Sequence, residues 1–379
     1  MTYDNTDQDA DGIVDVPVDN ESVSTREVNN VVNLNSLVNQ GVVSDVGEAI
    51  NYSQSQLNPP LKLTLEPGEH QYNTQAKINT SAVVLEGAGG GSPVSGGSIE
   101  STTELVWTGG TDAALKIENE SKTVSGVDLC SFGLRPNNAG DGGRGIDIGQ
   151  NQVRNITISN TSVSEFGDAG VAVGGEVFDY ATFRLSLINN NANGNEAQYY
   201  EHSRQKLNDS QHFAPFWFGR TNGSPTAVIL ADLAPIFGGH LHKGDPCLRY
   251  SGSGGAPLHH TSIEGDSSTP YTGVGVHIED CTSGPMAVGG HIYKWDTGVR
   301  LGVAGENHNV KGVGINADFD SIETIDYEQV GTGPKKWTIR QGTNIDNGGN
   351  PNPAGLLDNE LFPRPAPREL HWGRRCPDY

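Results

Sequence analysis

Methionine supplies 2 of the 379 residues, cysteine 4 and the aromatic side chains only 7%. Basic residues are scarce as well: 24 Lys and Arg stand against 46 Asp and Glu, for a net charge of −22. No apolar run approaches the roughly 18 residues needed to span a bilayer. Met1 opens a polar stretch without the basic leader and apolar core of a secretory signal, so neither membrane insertion nor signal-directed export is expected. A nucleic-acid partner is not expected either, because phosphate contacts need clustered Lys and Arg and here they are scattered. Cys130, Cys247, Cys281 and Cys376 lie far apart with no CxxC pair. They signal neither a zinc site nor a disulfide scaffold, and buried free thiols are the expectation.

The acid excess holds water and hydrated cations and keeps a surface soluble by self-repulsion, which salt screens. In this respect the composition resembles that of proteins from halophiles; an ordinary acidic protein is the plainer reading. Near the start, Asp7, Asp9 and Asp11 alternate, Gly12 follows, and the Ile13 carbonyl and Asp15 complete a set of hard oxygen donors suited to Ca²⁺. The twelfth position holds Val18 where an EF-hand needs a bidentate Glu, so the run is similar instead to the short calcium loops of thrombospondin type 3 repeats. The alternative is a flexible acidic leader that is merely solvated.

Val42, Val43, Val46, Ala49 and Ile50 have helical spacing, with Ser44 or Asp45 as N-cap. Asn58-Pro59-Pro60 stops that helix, and Leu61-Lys62-Leu63-Thr64-Leu65 alternates as a strand does. Then come Pro67-Gly68-Glu69-His70-Gln71-Tyr72 and Val83-Val84-Leu85-Glu86-Gly87-Ala88-Gly89. In that order these pieces resemble the opening of pectate-lyase-like right-handed parallel β-helix proteins, over about residues 42–345. The resemblance implies an all-β solenoid with a short N-terminal capping helix and extended termini, its first coil starting at Leu61.

Short alternating segments recur down the chain, and Gly273, Gly298 and Thr324 lead three similar units spaced by 25 and 26 residues. Such a period marks stacked repeats, in which each coil needs its neighbours to bury its apolar side. The 50 glycines then serve tight turns, and the 34% hydrophobic content suffices for a narrow core. A sandwich would need hairpin signals, and NG or DG between long alternating runs is mostly missing.

The expected organisation is an N-terminal attachment segment over 1–41 carrying the candidate calcium loop at 7–15, the β-helix over 42–345, and a Pro/Arg-rich tail over 346–379. Within the helix, residues 190–226 concentrate Tyr199, Tyr200, His202, Phe216, Trp217 and Phe218. They read as an insertion whose rings stack on sugars, or one that packs its rings on the coil or a neighbouring subunit. In the tail, Pro363, Pro365 and Pro367 favour an extended chain, and Arg364, Arg368, Arg374 and Arg375 form a basic patch for an acidic partner or a solvated end.

The resemblance implies Ca²⁺-binding acids with an Arg base, or carboxylate pairs on adjacent coils, which hydrolysis requires at set separations. Candidate carboxylates are Asp147, Asp168, Glu264, Asp266, Glu279 and Asp280, with Glu165, Asp179 and Asp296 behind them; none sits in a diagnostic motif. No lyase-like Arg motif or polygalacturonase-like Asp-Asp constellation can be carried over. Seven of the 11 histidines, His240, His242, His259, His260, His277, His291 and His308, fall close together. Stacked coils would align some of them as a metal site or a strip titrating near pH 6.5, whereas spacings of 14–19 residues fit scattered surface positions better.

A fold used on sugars and surfaces, with no visible export signal, resembles viral tailspikes and fibres. It implies a virion-surface protein, a homotrimer, fixed to other virion proteins through its N-terminal segment and attaching to host glycan or surface layer. The alternative is a polysaccharide lyase or glycoside hydrolase on the same scaffold; attachment without catalysis is the preferred expectation.

Overall fold

The computed structural model describes residues 30–339, apart from 91, 94–98, 150–152, 175–177, 180–181, 189–198, 202–206, 209–210, 214–215, 219–227, 231–235, 253–257, 282–285 and 334. The candidate calcium ligands Asp7, Asp9, Asp11, Ile13 and Asp15, His202, and the Pro/Arg tail lie outside the described residues.

The chain winds as a right-handed parallel β-helix of three sheets. Strands such as Leu61–Thr64, Val83–Glu86 and Val124–Cys130 stack in the first sheet. Gly68–Tyr72, Thr103–Trp107 and Gly133–Pro136 stack in the second. Ala76–Ile78, Leu115–Ile117 and Arg144–Ile148 stack in the third. One antiparallel pair, Ser92–Pro93 with Ile99–Glu100, stands apart from these ladders.

Alternation sends every second side chain inward, and register places like upon like. In the first sheet Val32, Leu63, Leu85, Leu129 and Ile158 occupy successive positions of one column, all at most 2% exposed. Leu241, Ile263, Ile292 and Phe319 do the same in the second sheet, and Leu248, Val276, Val299 and Tyr327 in the third. Each such aliphatic side chain contributes about 1.5–3 kcal/mol of burial. That is why a chain of modest hydrophobic content forms a continuous core.

The corners between sheets need backbone of left-handed conformation. Ser131, Asn160 and His260 have φ of 64°, 49° and 52° where the first sheet turns into the second. Glu165, Lys243, Lys294 and Ser321, with φ of 67°, 62°, 61° and 53°, leave the second sheet. Few residue types adopt this conformation readily, and here the stacked coils impose it.

The capping helix spans Val46–Gln56, beginning later and running further than the Val42–Ile50 spacing indicates. Asp45 is its N-cap and accepts from Glu48 N at 2.8 Å, while the other carboxyl oxygen accepts from Asn73 N and Thr74 N at 3.0 Å each. One carboxylate thus caps the helix and ties it to the coil. Gly47 permits the close approach: a Cβ there would lie 1.9 Å from the Thr74 carbonyl oxygen.

Two expectations are corrected. The first rung is Asn30–Asn33, in register with Leu61–Thr64 and followed by a helix at Leu34–Asn39, so the coil starts one strand before Leu61. The repeat units also align differently. Val276 pairs with Val299 and Val299 with Tyr327, steps of 23 and 28 residues, because a register shift between Trp295 and Thr297 and turns of unequal length displace the apparent 25-residue period. Among the described residues no helix is long and apolar enough to cross a membrane.

Candidate functional site

The second sheet presents a repeated polar-apolar-polar tripeptide on its last coils: His240-Leu241-His242, Ser262-Ile263-Glu264, His291-Ile292-Tyr293 and Asp318-Phe319-Asp320. The middle residue enters the core and the flanking two face out, so His240, Ser262, His291 and Asp318 form one column and His242, Glu264, Tyr293 and Asp320 its neighbour. Coils are about 4.8 Å apart, so side chains on consecutive coils touch. The left-handed turn at Lys294 brings its side chain back over the same face. Gly265 makes room for that turn, since a Cβ there would lie 1.8 Å from the Lys294 carbonyl oxygen.

Glu264 is the hub. Its Oε1 accepts from Lys294 Nζ at 2.5 Å, and its Oε2 accepts from the Tyr293 hydroxyl at 2.9 Å and lies 3.1 Å from His240 Nε2. His242 Nε2 stands 3.2 Å from the Gly265 carbonyl oxygen. The rings stack in pairs: His240 with His242 at 5.5 Å between centroids, inclined by 29°, and His291 with Tyr293 at 4.4 Å and 16°. Lys294 Nζ lies 5.3 Å from the centre of the Tyr293 ring, within cation–π range.

Burial alone would raise the Glu264 pKa, but the hydrogen bonds from Lys294 and Tyr293 prevail and hold it below the usual carboxylate value. Burial lowers the His240 pKa against the pull of Glu264, and lowers that of His242 to about 4. Both imidazoles are therefore neutral at pH 7. Burial and the adjacent carboxylate raise the Tyr293 pKa, and the hydrogen bond to Glu264 raises that of Lys294. The face thus holds an ionised carboxylate, an ammonium, a neutral phenol and two neutral imidazoles within reach of solvent.

The other carboxylates singled out in the sequence are dispersed. Asp147 is held by Arg144 at 3.1 Å on an earlier coil of the third sheet, and Asp168 is exposed in a turn. Asp266 accepts from Ser268 N at 3.4 Å in the turn after Glu264, and Asp296 accepts from the Thr324 hydroxyl. Glu279 is bound by Arg249 on the outer face of the third sheet, and Asp280 beside it is buried. Glu165 occupies a left-handed corner, and Asp179 stands in the strand Phe178–Asp179.

The histidines divide between faces: His240, His242 and His291 share the second sheet, His277 lies in the third, and His259 stacks on Phe237 at 5.0 Å. Among the described residues no three His, Cys, Asp or Glu side chains stand together so as to hold a metal ion. Tyr199 and Tyr200 fall in a third-sheet rung, Tyr199–Glu201, between Ala169–Val173 and Val228–Leu230. Phe216–Phe218 forms a second-sheet rung directly before His240, Leu241 and His242, in backbone register with them.

Tyr293, Lys294, Arg249 and Arg300 were not singled out from sequence. The signal that finds the first two is the tripeptide alternation ending in a corner residue; unequal steps of 22, 29 and 27 residues between His240, Ser262, His291 and Asp318 conceal it.

No protein-family model and no curated protein matches the chain. Among solved structures it is similar to ORF18 of Geobacillus virus E2, at 12% identity and a TM-score of 0.45, covering 82% of this chain and 61% of that one. It is similar also to the A-modules of two Azotobacter vinelandii mannuronan C-5 epimerases. For AlgE4 the identity is 13%, the TM-score 0.43 and the coverage 85% of this chain and 99% of that one; for AlgE6 the figures are 14%, 0.43, 82% and 96%. The chain spans about three-fifths of the ORF18 chain. The likeness is one of backbone course.

Proposed function

We propose that this protein is a polysaccharide-active enzyme that cleaves an acidic sugar chain by β-elimination on the outer face of its second sheet. The observation that supports this reading is the convergence of His240, Tyr293 and Lys294 on one half-buried carboxylate, Glu264, on an open face.

Elimination from a uronate needs a base for the proton α to the carboxylate, an acid for the departing glycosidic oxygen, and a cation to offset charge on the carboxylate as the enolate forms. Neutral His240 is the base, through Nδ1. Tyr293 is the acid, since its hydroxyl stays protonated well past neutral pH. Lys294 keeps N–H groups beyond the one given to Glu264 and meets the substrate carboxylate. The C5–H and C4–O bonds break and the C4–C5 double bond forms. After release the proton on His240 Nδ1 passes to solvent and the Tyr293 phenolate regains one from solvent, while Glu264 Oε2, close to both His240 Nε2 and the Tyr293 hydroxyl, keeps the two side chains in position. Hydrolysis fits less well, because a protonated carboxylic acid must serve the leaving group and Glu264 is held ionised.

The test is to incubate the protein with polygalacturonate and other uronate polymers, following the ultraviolet absorbance of the unsaturated product beside a reducing-end assay. Absorbance that grows with reducing ends, and is lost in Tyr293→Phe, supports elimination. Reducing ends without absorbance indicate hydrolysis. Binding with no cleavage in either assay removes the enzymatic reading and leaves this face as a surface for host-glycan attachment.

A further inference from the structure

The outer face of the third sheet carries a second polar column that the proposed chemistry does not use. Arg249, His277, Arg300 and Glu328 occupy equivalent positions on four successive coils. Arg249 is ion-paired with Glu279: Nη2 donates to Oε2 at 2.8 Å, and Nε lies 2.7 Å from Oε1. Arg300 donates from Nε to Glu328. His277 Nε2 stands 2.7 Å from the Gly302 carbonyl oxygen.

The carboxylates of these pairs are recessed and the guanidinium groups are not. Glu279 and Glu328 side chains are 13% and 23% exposed, against 43% and 34% for Arg249 and Arg300. Glu279 holds Arg249, and Glu328 holds Arg300 from the next coil of the column; each carboxylate is less exposed than its arginine, which leaves part of the fork in solvent. Among the described residues nothing accepts from the terminal nitrogens of Arg300 or from Nη1 of Arg249. A guanidinium held in one rotamer loses little further entropy when it binds a planar oxyanion, and the flat fork matches a carboxylate. Two coils separate the arginines by about 10 Å along the axis. That is comparable to the spacing of alternate residues in an extended pyranose chain.

We propose that Arg249, His277 and Arg300 form a second binding site, for an acidic polysaccharide lying along the coil axis, with its carboxylates on the two arginines and a sugar hydroxyl on the imidazole between them. The site is distinct from the Glu264 face and does not depend on turnover there.

Calorimetry with hexagalacturonate and its fully methyl-esterified counterpart tests this, carried out on the Tyr293→Phe protein so that cleavage does not intervene. Arg249→Gln/Arg300→Gln is expected to weaken the acidic chain about tenfold or more and leave the esterified chain unchanged. Arg249→Lys/Arg300→Lys, which keeps charge and loses the fork, is expected to fall between. Unchanged affinity for the acidic chain, or an equal loss for both chains, overturns the proposal. Amide hydrogen exchange on the unsubstituted sheet gives a check that needs no arginine variant: hexagalacturonate should protect Leu248–Gly252 and Val274–Cys281, and absent protection there also overturns it. Arginine-dependent binding by a protein without lyase activity would remove the catalytic reading and leave this site standing.

Discussion

The early coils, up to Ala169–Val173, and the late coils, from Ile236 onward, share one interior and differ outside. Inward columns made mainly of Leu, Ile and Val run through both, joined in the last coils by Phe319 and Tyr327. On the early outer faces the charged groups form small separate clusters: Lys62 with Glu86 at 2.5 Å, Lys116 with Glu118 at 2.5 Å, and Arg135 with both Glu69 and Glu104 at 3.0 and 3.1 Å. On the late faces imidazole, phenol, ammonium and guanidinium groups gather over recessed carboxylates. The interior sets where side chains can stand, and chemistry follows from what is placed outside. A solenoid allows this separation because an outward substitution leaves the core column intact.

The largest effect expected from breaking the contrast is on turnover. Tyr293→Phe and His240→Ala should each lower kcat/KM on a uronate polymer by about 10²–10⁴-fold, the usual worth of a positioned acid or base. Arg135→Gln, on the same sheet several coils earlier, should leave it unchanged. The pH profile sharpens the point: the acid limb should fall below the ordinary histidine value of 6.5, since burial lowers the His240 pKa, and the alkaline limb above 10.0, since burial and Glu264 raise that of Tyr293. Equal losses from Arg135→Gln would show that the late face has no special role.

Next in size is the helix cap. Asp45→Ala removes an N-cap and two anchors to backbone N–H groups, and should destabilise by about 2–4 kcal/mol in urea unfolding. Ligand affinity at the late coils should not move. A loss under about 1 kcal/mol would mean that packing of Ala49 and Ile50 alone seats the helix.

Acid should separate the halves at smaller cost. The folded pKa of His242 is about 4 against 6.5 ordinarily, so the unfolded chain binds more protons between those values. Its contribution is present above 6.5 and is lost as pH falls toward 4. Half-exposure and screening reduce it to about 1–2 kcal/mol. Asp45, whose pKa lies below 3.8 because its hydrogen bonds outweigh burial, loses its contribution only at still lower pH. Urea midpoints followed through this range should therefore show the late coils weakening first, and His242→Asn should flatten that step.

Much of the scaffold could be read in the sequence and much of its outer face could not. Alternation at Leu61–Leu65, a helix cap at Ser44 or Asp45 and the recurring short strands are local signals, and local signals survive without knowledge of register. The Glu264 cluster depends on which residues stand side by side on different coils, and turn lengths that change from coil to coil erase any constant period. Tyr293 and Lys294 are ordinary residues until Gly265 and the left-handed backbone at Lys294 place them over Glu264. The aromatic stretch was visible as composition, whereas its rungs at Tyr199–Glu201 and Phe216–Phe218 follow only from pairing.

The smallest expected effect tests whether the early faces are passive. Lys62 and Glu86 lie 2.5 Å apart with side chains 44% and 37% exposed, so water screens the pair and both long side chains lose freedom in forming it. Lys62→Met should shift stability by less than about 0.5 kcal/mol at moderate salt. Asp128 gives the experiment a sharper reading. Burial and the nearby Glu86 charge already raise its pKa, and removing the lysine leaves Glu86 unneutralised beside it. The Asp128 carboxyl should then titrate higher still by NMR, while the unfolding midpoint barely moves. A stability change of about 2 kcal/mol would instead show that the early pairs hold the coils together. The late clusters would then differ from them in chemistry alone and not in structural weight.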